Sequence, residues 1–252
     1  MSPNVTSEFA LAVNGRRERF HRSLRHTLHL YTKSRYIESL LYCSIAIKHN
    51  CKMQKIVTIT NFKGGTGKST TAIHLAAYFH AKGKTVLIDG DPNRSALTMA
   101  ARGGFPFEIG DERRIARLIQ GQDYVVIDTA ARPGSNDLQE LGKGCDLMII
   151  PLTPSMMAAD PTIELVQHLK QMKANYRALV TIIPPPPSRD GELMREELRA
   201  AGIPTFEAMI RRRSAYERAV IRGKPLSEFT DLKAVTAWEE FTALGKETEK
   251  AL

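Results

Sequence analysis

Three cysteines stand in 252 residues, Cys43, Cys51 and Cys145, and none has a neighbour at metal-site spacing. That scarcity excludes a disulfide framework and fits a reducing compartment. No apolar run reaches the length a helix needs to span a bilayer. Acid is scarce at the amino end: residues 1–52 hold nine of the 36 Lys and Arg but three of the 27 Asp and Glu. The overall charge of +9 is therefore uneven, with +6 on that segment and +3 on the remainder. A mild basic excess is compatible with nucleic-acid contact without demonstrating it. What is plentiful is apolar residue, 42% of the chain, enough for one sizeable core and too little for two large ones.

Residues 1–52 contain no run that reads as a buried strand. Leu24, Leu28 and Tyr31, and then Ile37, Leu40 and Leu41, fall at helical spacing. Three readings stay open for this basic extension: an added arm for nucleic acid or a partner, a targeting peptide, or a segment ahead of a true start at Met53. The sequence predicts one folded domain over residues 53–252.

From Lys55 onward, short β-branched runs alternate with helical stretches. The runs are KIVTIT (55–60), TVLID (85–89), YVVID (124–128), LMIIP (147–151), ALVTII (178–183) and TFEAMI (205–210). Helices are predicted over 70–83, 160–174 and 191–202. Strands apolar on both faces, separated by helices, predict an α/β fold: a mainly parallel, doubly wound sheet with helices on both sides. Such sheets bind ligands beyond the carboxyl ends of their strands.

At the first such end stands NFKGGTGKST (61–70). Glycines let backbone N–H groups turn toward a phosphate, and the helix that follows favours negative charge. Gly64, Gly65, Thr66 and Gly67 form the loop, Lys68 is placed to reach the β- and γ-phosphates, and the Ser69 hydroxyl to bind Mg²⁺, with Thr70 following. The usual pattern wants glycine at position 62, where this chain has Phe62.

That departure, with Lys63 ahead of the glycine pair, resembles the deviant Walker A box of the ParA/MinD family of ATPases. The resemblance implies that Lys63 crosses a dimer interface to the partner's phosphates, as an arginine finger does in trans. LIDGDPNRSA (87–96) resembles the family's second motif. It implies that Asp91 orients the attacking water and that Asp89 lies near the loop lysine or the metal's waters. YVVIDTAARPG (124–134) resembles a Walker B strand with a switch segment, with Asp128 taking hydrogen bonds from Mg²⁺-bound water; here Pro133 stands further behind the aspartate than is usual. VTIIPPPPSRDGE (180–192) matches the strand whose loop lies at the adenine in relatives, which implicates Pro184 and Pro185. The resemblance covers roughly residues 54–250 and implies ATP and Mg²⁺ as cofactors and an ATP-driven homodimer.

Several branches share these motifs. One core cysteine excludes a cluster bridged by paired cysteines, and a tyrosine-rich kinase tail is missing. The tail AWEEFTALGKETEKAL (237–252) carries an apolar stripe of Trp238, Phe241 and Leu244, flanked by four glutamates that anionic lipid would repel. The stripe is expected to pack on the core, with no membrane role. What remains resembles the short ParA branch, cytoplasmic and nucleoid-associated, whose ATP-bound dimers bind DNA without sequence preference and work with a ParB-like or cargo adaptor. Arg211, Arg212, Arg213, Arg218, Arg222 and Lys224 are the expected phosphate-contacting surface. The cargo is a plasmid or chromosome, or a protein assembly such as a carboxysome. A MinD-like spatial regulator and an ATP-dependent metabolic enzyme of the same fold are the alternatives.

Overall fold

The computed structural model describes residues 54–155 and 159–252. The expectations for residues 1–52 and Met53 fall outside them. Six strands form a single parallel sheet: β1 (Lys55–Asn61), β2 (Thr85–Gly90), β3 (Glu108–Asp111), β4 (Tyr124–Ala131), β5 (Leu147–Leu152) and β6 (Tyr176–Val180). Their order across the sheet is β3-β2-β4-β1-β5-β6. All five pairings are parallel, so every carboxyl end opens on the same side.

The helices are α1 (Lys68–His80), α2 (Ser95–Ala100), α3 (Ile115–Leu118), α4 (Ser135–Gly144), α5 (Ala159–Gln171), α6 (Asp190–Ala200), α7 (Ser214–Arg222) and α8 (Leu232–Ala251). Successive strand residues point to opposite faces, and β5 shows the result. Leu147 and Ile149 join one core with α1 and α8, while Met148, Ile150 and Leu152 join a second with α4, α5 and α6. A third cluster, around Ile56, Val86, Ile88, Val125 and Ile127, takes Ile115 and Leu118 from α3. Both faces are covered, which is why the strands read as unbroken apolar runs.

Two of the expected strand runs differ from the structure. The run predicted over 178–183 is β6, moved upstream to Tyr176–Val180. Ile182 takes a positive φ of 53°, which no strand residue can hold, and this ends the ladder. The run 205–210 forms no ladder: it lies along β6 and the residues that follow it through isolated bridges, Ala178 to Thr205 and Ile183 to Arg211, and single backbone hydrogen bonds such as Phe206 N–H to the Ala178 carbonyl (3.0 Å) and Ile210 N–H to the Val180 carbonyl (3.0 Å). Its apolar residues are buried all the same, with Phe206 at 1% exposure. The stripe on α8 packs inward as expected: Phe241 and Leu244 are fully buried and Trp238 is packed against the same cluster.

Candidate functional site: a phosphate loop facing a buried carboxylate

β1 and β4 are the central strands, and the loops leaving β1, β2 and β4 meet at one end. Asn61 closes β1. Its amide donates to the Pro151 carbonyl at the end of β5 (2.6 Å), and its side-chain oxygen accepts the Lys63 backbone N–H (3.2 Å). The loop then turns through two residues with positive φ, Gly65 at 72° and Gly67 at 85°, a region that costs a side chain about 1–2 kcal/mol. Gly67 is the N-cap of α1. The buried Thr66 accepts from the Thr181 hydroxyl through its carbonyl (2.8 Å), which ties the loop to the segment after β6.

The two lysines of the loop differ in burial and partners. Lys68 is 6% exposed, and its ammonium lies 3.5 Å from the Lys63 carbonyl. Burial lowers its pKa, and Asp128 and Asp91 oppose that shift. Lys63 is half-buried as a residue, and its ammonium has no acceptor among the described residues.

Asp128 is fully buried, and neither carboxylate oxygen receives a hydrogen bond. Burial pushes its pKa up to about 7, with the nearby Ser69 hydroxyl and Lys68 pulling it back and Asp89 and Asp91 adding to it. An orphaned buried carboxylate is costly unless something cationic completes it. Mg²⁺ with its waters fits that demand. Among the described residues no cluster of three metal-ligating acids, histidines or cysteines exists. Mg²⁺ held by a hydroxyl, nucleotide phosphates and water needs none. Ser69 and Asp128 are the residues that fit it.

Asp89 is placed differently. Its two oxygens accept the backbone N–H groups of Asp91 (3.2 Å) and Leu97 (2.9 Å), so it braces the loop into α2. Asp91, 8% exposed, lines the cleft and accepts from the Asn93 N–H (2.8 Å). Arg94, with a φ of 51°, donates to the Asp89 carbonyl (2.6 Å) and grips the buried Glu112. Neither Arg94 nor Glu112 was singled out from sequence. They lie 18 residues apart with no spacing rule to link them.

The cleft holds about 500 Å³ and runs from Gly64, Gly65 and Lys68 past Asp91 toward Met99, His74 and Val220. A smaller cavity of about 170 Å³ adjoins it at Gly67 and is walled by Thr70, Ile182, Ile210, Arg212 and Tyr216. Pro184 and Pro185 do not line this cavity. Pro184 is half-buried, and its carbonyl accepts from Arg211 (3.2 Å); Pro185 is exposed. Sequence reasoning missed His74 and Tyr216. His74 stacks on Phe241 with ring centroids 4.7 Å apart, and burial lowers its pKa to about 4. Burial, then Glu240, push the Tyr216 phenol well above its usual range.

The six basic residues expected on the DNA side divide into two groups. Arg211 pairs with Glu192 (3.0 Å), Arg213 with Glu240 (2.6 Å), Arg218 with Asp231 (2.7 Å) and Lys224 with Glu228 (3.1 Å). Arg212 and Arg222 are exposed, and their guanidiniums have no acid partner among the described residues.

Residues 57–226 match the family model described as the CobQ/CobB/MinD/ParA nucleotide binding domain. Over 204 residues the chain is 30% identical to the "Maintenance of carboxysome distribution protein A" of Gloeobacter kilaueensis, covering 78% of this chain and 94% of that one. Among solved structures, an ATP complex of Cyanothece McdA superposes with a TM-score of 0.58 at 17% identity, over 80% of this chain and 97% of its own. The Pyrococcus horikoshii septum site-determining protein MinD with Mg-ADP gives 0.59 at 18% identity, over 79% and 97%. At those identities the two structures speak for the fold.

Proposed function

Because the chain belongs to the CobQ/CobB/MinD/ParA nucleotide-binding family, we propose that it is a ParA-type positioning ATPase that dimerises on ATP and rides non-specific DNA. The observation that carries this reading is the division of the two loop lysines. Lys68 is turned inward toward Asp128 and Asp91, whereas the Lys63 ammonium is left without a partner of its own among the described residues. A second copy facing the cleft gives Lys63 an anion to meet.

When bound, Mg²⁺ would supply charge neutralisation to the nucleotide's phosphates. The residues of this chain do the rest. Gly64 to Gly67 and Thr70 hold the phosphates, Lys68 neutralises them in cis, and Ser69 and Asp128 hold the ion and its water. Asp91, at the rim of the cleft, orients the attacking water. Asp89 supports Asp91 through the backbone and contributes to the ion's shell only if its loop shifts. Ile182, Ile210 and Tyr216 offer the base a flat apolar wall, with Pro184 and Pro185 stiffening the segment behind. Turnover is slow for the chain alone and rises with DNA and an adaptor.

Arg212 and Arg222 contribute phosphate contacts to DNA; the four paired residues contribute less while their acids hold them. The cargo favoured here is a protein assembly of the carboxysome kind, because similarity extends over nearly the whole of a carboxysome-distribution relative. A plasmid or chromosome held through a centromere-binding adaptor is the second reading. Light scattering tests the core of the proposal. The chain should be monomeric with ADP and dimeric with a non-hydrolysable ATP analogue. A monomer in both would contradict it.

A further inference from the structure

The Asp91 loop is joined by hydrogen bonds to a second group of exposed basic residues. Arg113, Arg114 and Arg117 fall within five residues of chain, the first two on the turn that leaves β3 and the third in α3. All three are exposed, and none has an acid partner for its guanidinium among the described residues. The nearby Asp111 is engaged by the Arg113 backbone N–H (3.1 Å). Glu112, on the same turn, is buried and committed to Arg94. The acids beside these arginines are thus turned inward or occupied, while the arginines face water.

Resting on the ATPase reading above, we propose that the Arg113–Arg117 turn is a second docking surface for the backbone of duplex DNA, fixed to the Asp91 loop by the Arg94–Glu112 pair. Guanidinium suits phosphate better than ammonium does, because its planar fork binds two oxygens at once. Arg114 and Arg117, three residues apart, carry their Cβ atoms about 5–6 Å apart. A duplex offers phosphates at a comparable interval on every sequence, so this surface reads no code. An acidic polypeptide would need its charges placed to match; a duplex always has them.

The connection to the nucleotide side is continuous. Arg94 donates to the Asp89 carbonyl, and its backbone N–H donates to the Asp91 carbonyl (2.9 Å). Its guanidinium then holds Glu112, one residue ahead of Arg113. A shift of the Asp91 loop carries this turn with it.

The test is a salt titration of the full chain, loaded with a non-hydrolysable ATP analogue, on two unrelated duplexes. A variant with Arg113, Arg114 and Arg117 all changed to Gln should lose on the order of tenfold in affinity for both duplexes, with a log–log salt slope shallower by roughly 0.9 for each phosphate no longer neutralised. The same three changed to Lys should keep the slope, and DNA-free ATP turnover should not change in either. Equal affinity and slope in the Gln variant and the parent would overturn the surface and leave the ATPase reading standing. Equal loss in the Gln and Lys variants would overturn it too, because charge would not be the cause. Failure of every form to bind DNA, with analogue-driven dimers intact, would remove both this surface and the DNA part of the proposed function.

Discussion

Arg94 clamps Glu112 with both terminal guanidinium nitrogens, Nη2 reaching Oε1 at 2.7 Å and Nη1 reaching Oε2. Glu112 is 2% exposed and Arg94 about a quarter exposed, so the acid bears most of the desolvation. Such a pair specifies position more than it stabilises, and breaking it on one side leaves a charge without compensation. Glu112→Gln should therefore destabilise the domain by about 2–3 kcal/mol in chemical denaturation, at the low end for a buried pair because Arg94 keeps some water. A change under about 0.5 kcal/mol, the range of ordinary surface substitutions, would mean the pair is peripheral.

Gly223 caps α7 with a φ of 58°, and a Cβ placed there would meet the Gly103 nitrogen at 2.5 Å and the Met99 carbonyl at 2.6 Å. Two backbones touch where α2 ends and α7 ends, and neither can yield cheaply. Gly223→Ala should cost about 2–4 kcal/mol, the sum of a left-handed penalty and overpacking. Gly121, with a φ of 71° and open space around it, is the control: Gly121→Ala should cost about 1 kcal/mol. Thermal melts of the two variants check the order, and equal melting points would contradict the close approach.

How much of this was legible in the sequence depends on how local the cause is. The loop, the strand ends and Asp128 follow from short patterns, because glycine turns and buried strands are local features. The run at 205–210 failed as a strand because burial of Phe206 and Ile210 gives the same apolar pattern without a ladder. The four-residue β3, with Ile109 as its one large apolar side chain, is too short to show a period. The arginine run at 211–213 read as free charge, but its acids come from Glu192 on α6 and Glu240 on α8, 19 and 27 residues away. Long-range pairing of that kind has no signature in spacing. His74 lies inside a helix that sequence does predict, but the aromatic stack around it comes from α7 and α8.

That stack has a consequence for pH. His74 donates through Nδ1 to the Thr70 carbonyl (2.7 Å), and Nε2 is buried without a partner, so the ring is held neutral. Its folded pKa of about 4 lies below the ordinary value of 6.5. Between these values the unfolded chain takes up a proton that the folded chain refuses. This part of the stability is complete above about pH 6.5, falls as the pH drops to 4, and amounts to about 3 kcal/mol over the window. His74→Phe, which keeps a ring against Phe241, should abolish this contribution. The difference in urea-unfolding stability between parent and variant should fall by about 3 kcal/mol from about pH 6.5 to pH 4, while the buried Asp128, whose raised pKa acts in the opposite sense over this window, is common to both proteins. A difference that stays constant with pH would mean that the ring is not the titrating group.

The central claim is that Lys63 acts on the partner's nucleotide, and mixing two inactive variants tests it most directly. Lys63→Ala retains Lys68 and Asp91, and Asp91→Ala retains both lysines, so each should bind ATP yet hydrolyse little alone. In an equal mixture, random dimers restore one complete site wherever an Asp91→Ala protomer lends its Lys63 to a Lys63→Ala protomer. The steady-state rate of the mixture should recover to about a quarter of the parental rate per site if Lys63 works in trans. A rate no higher than that of the separate variants, with mixed dimers confirmed by cross-linking, would contradict the account and return Lys63 to its own site.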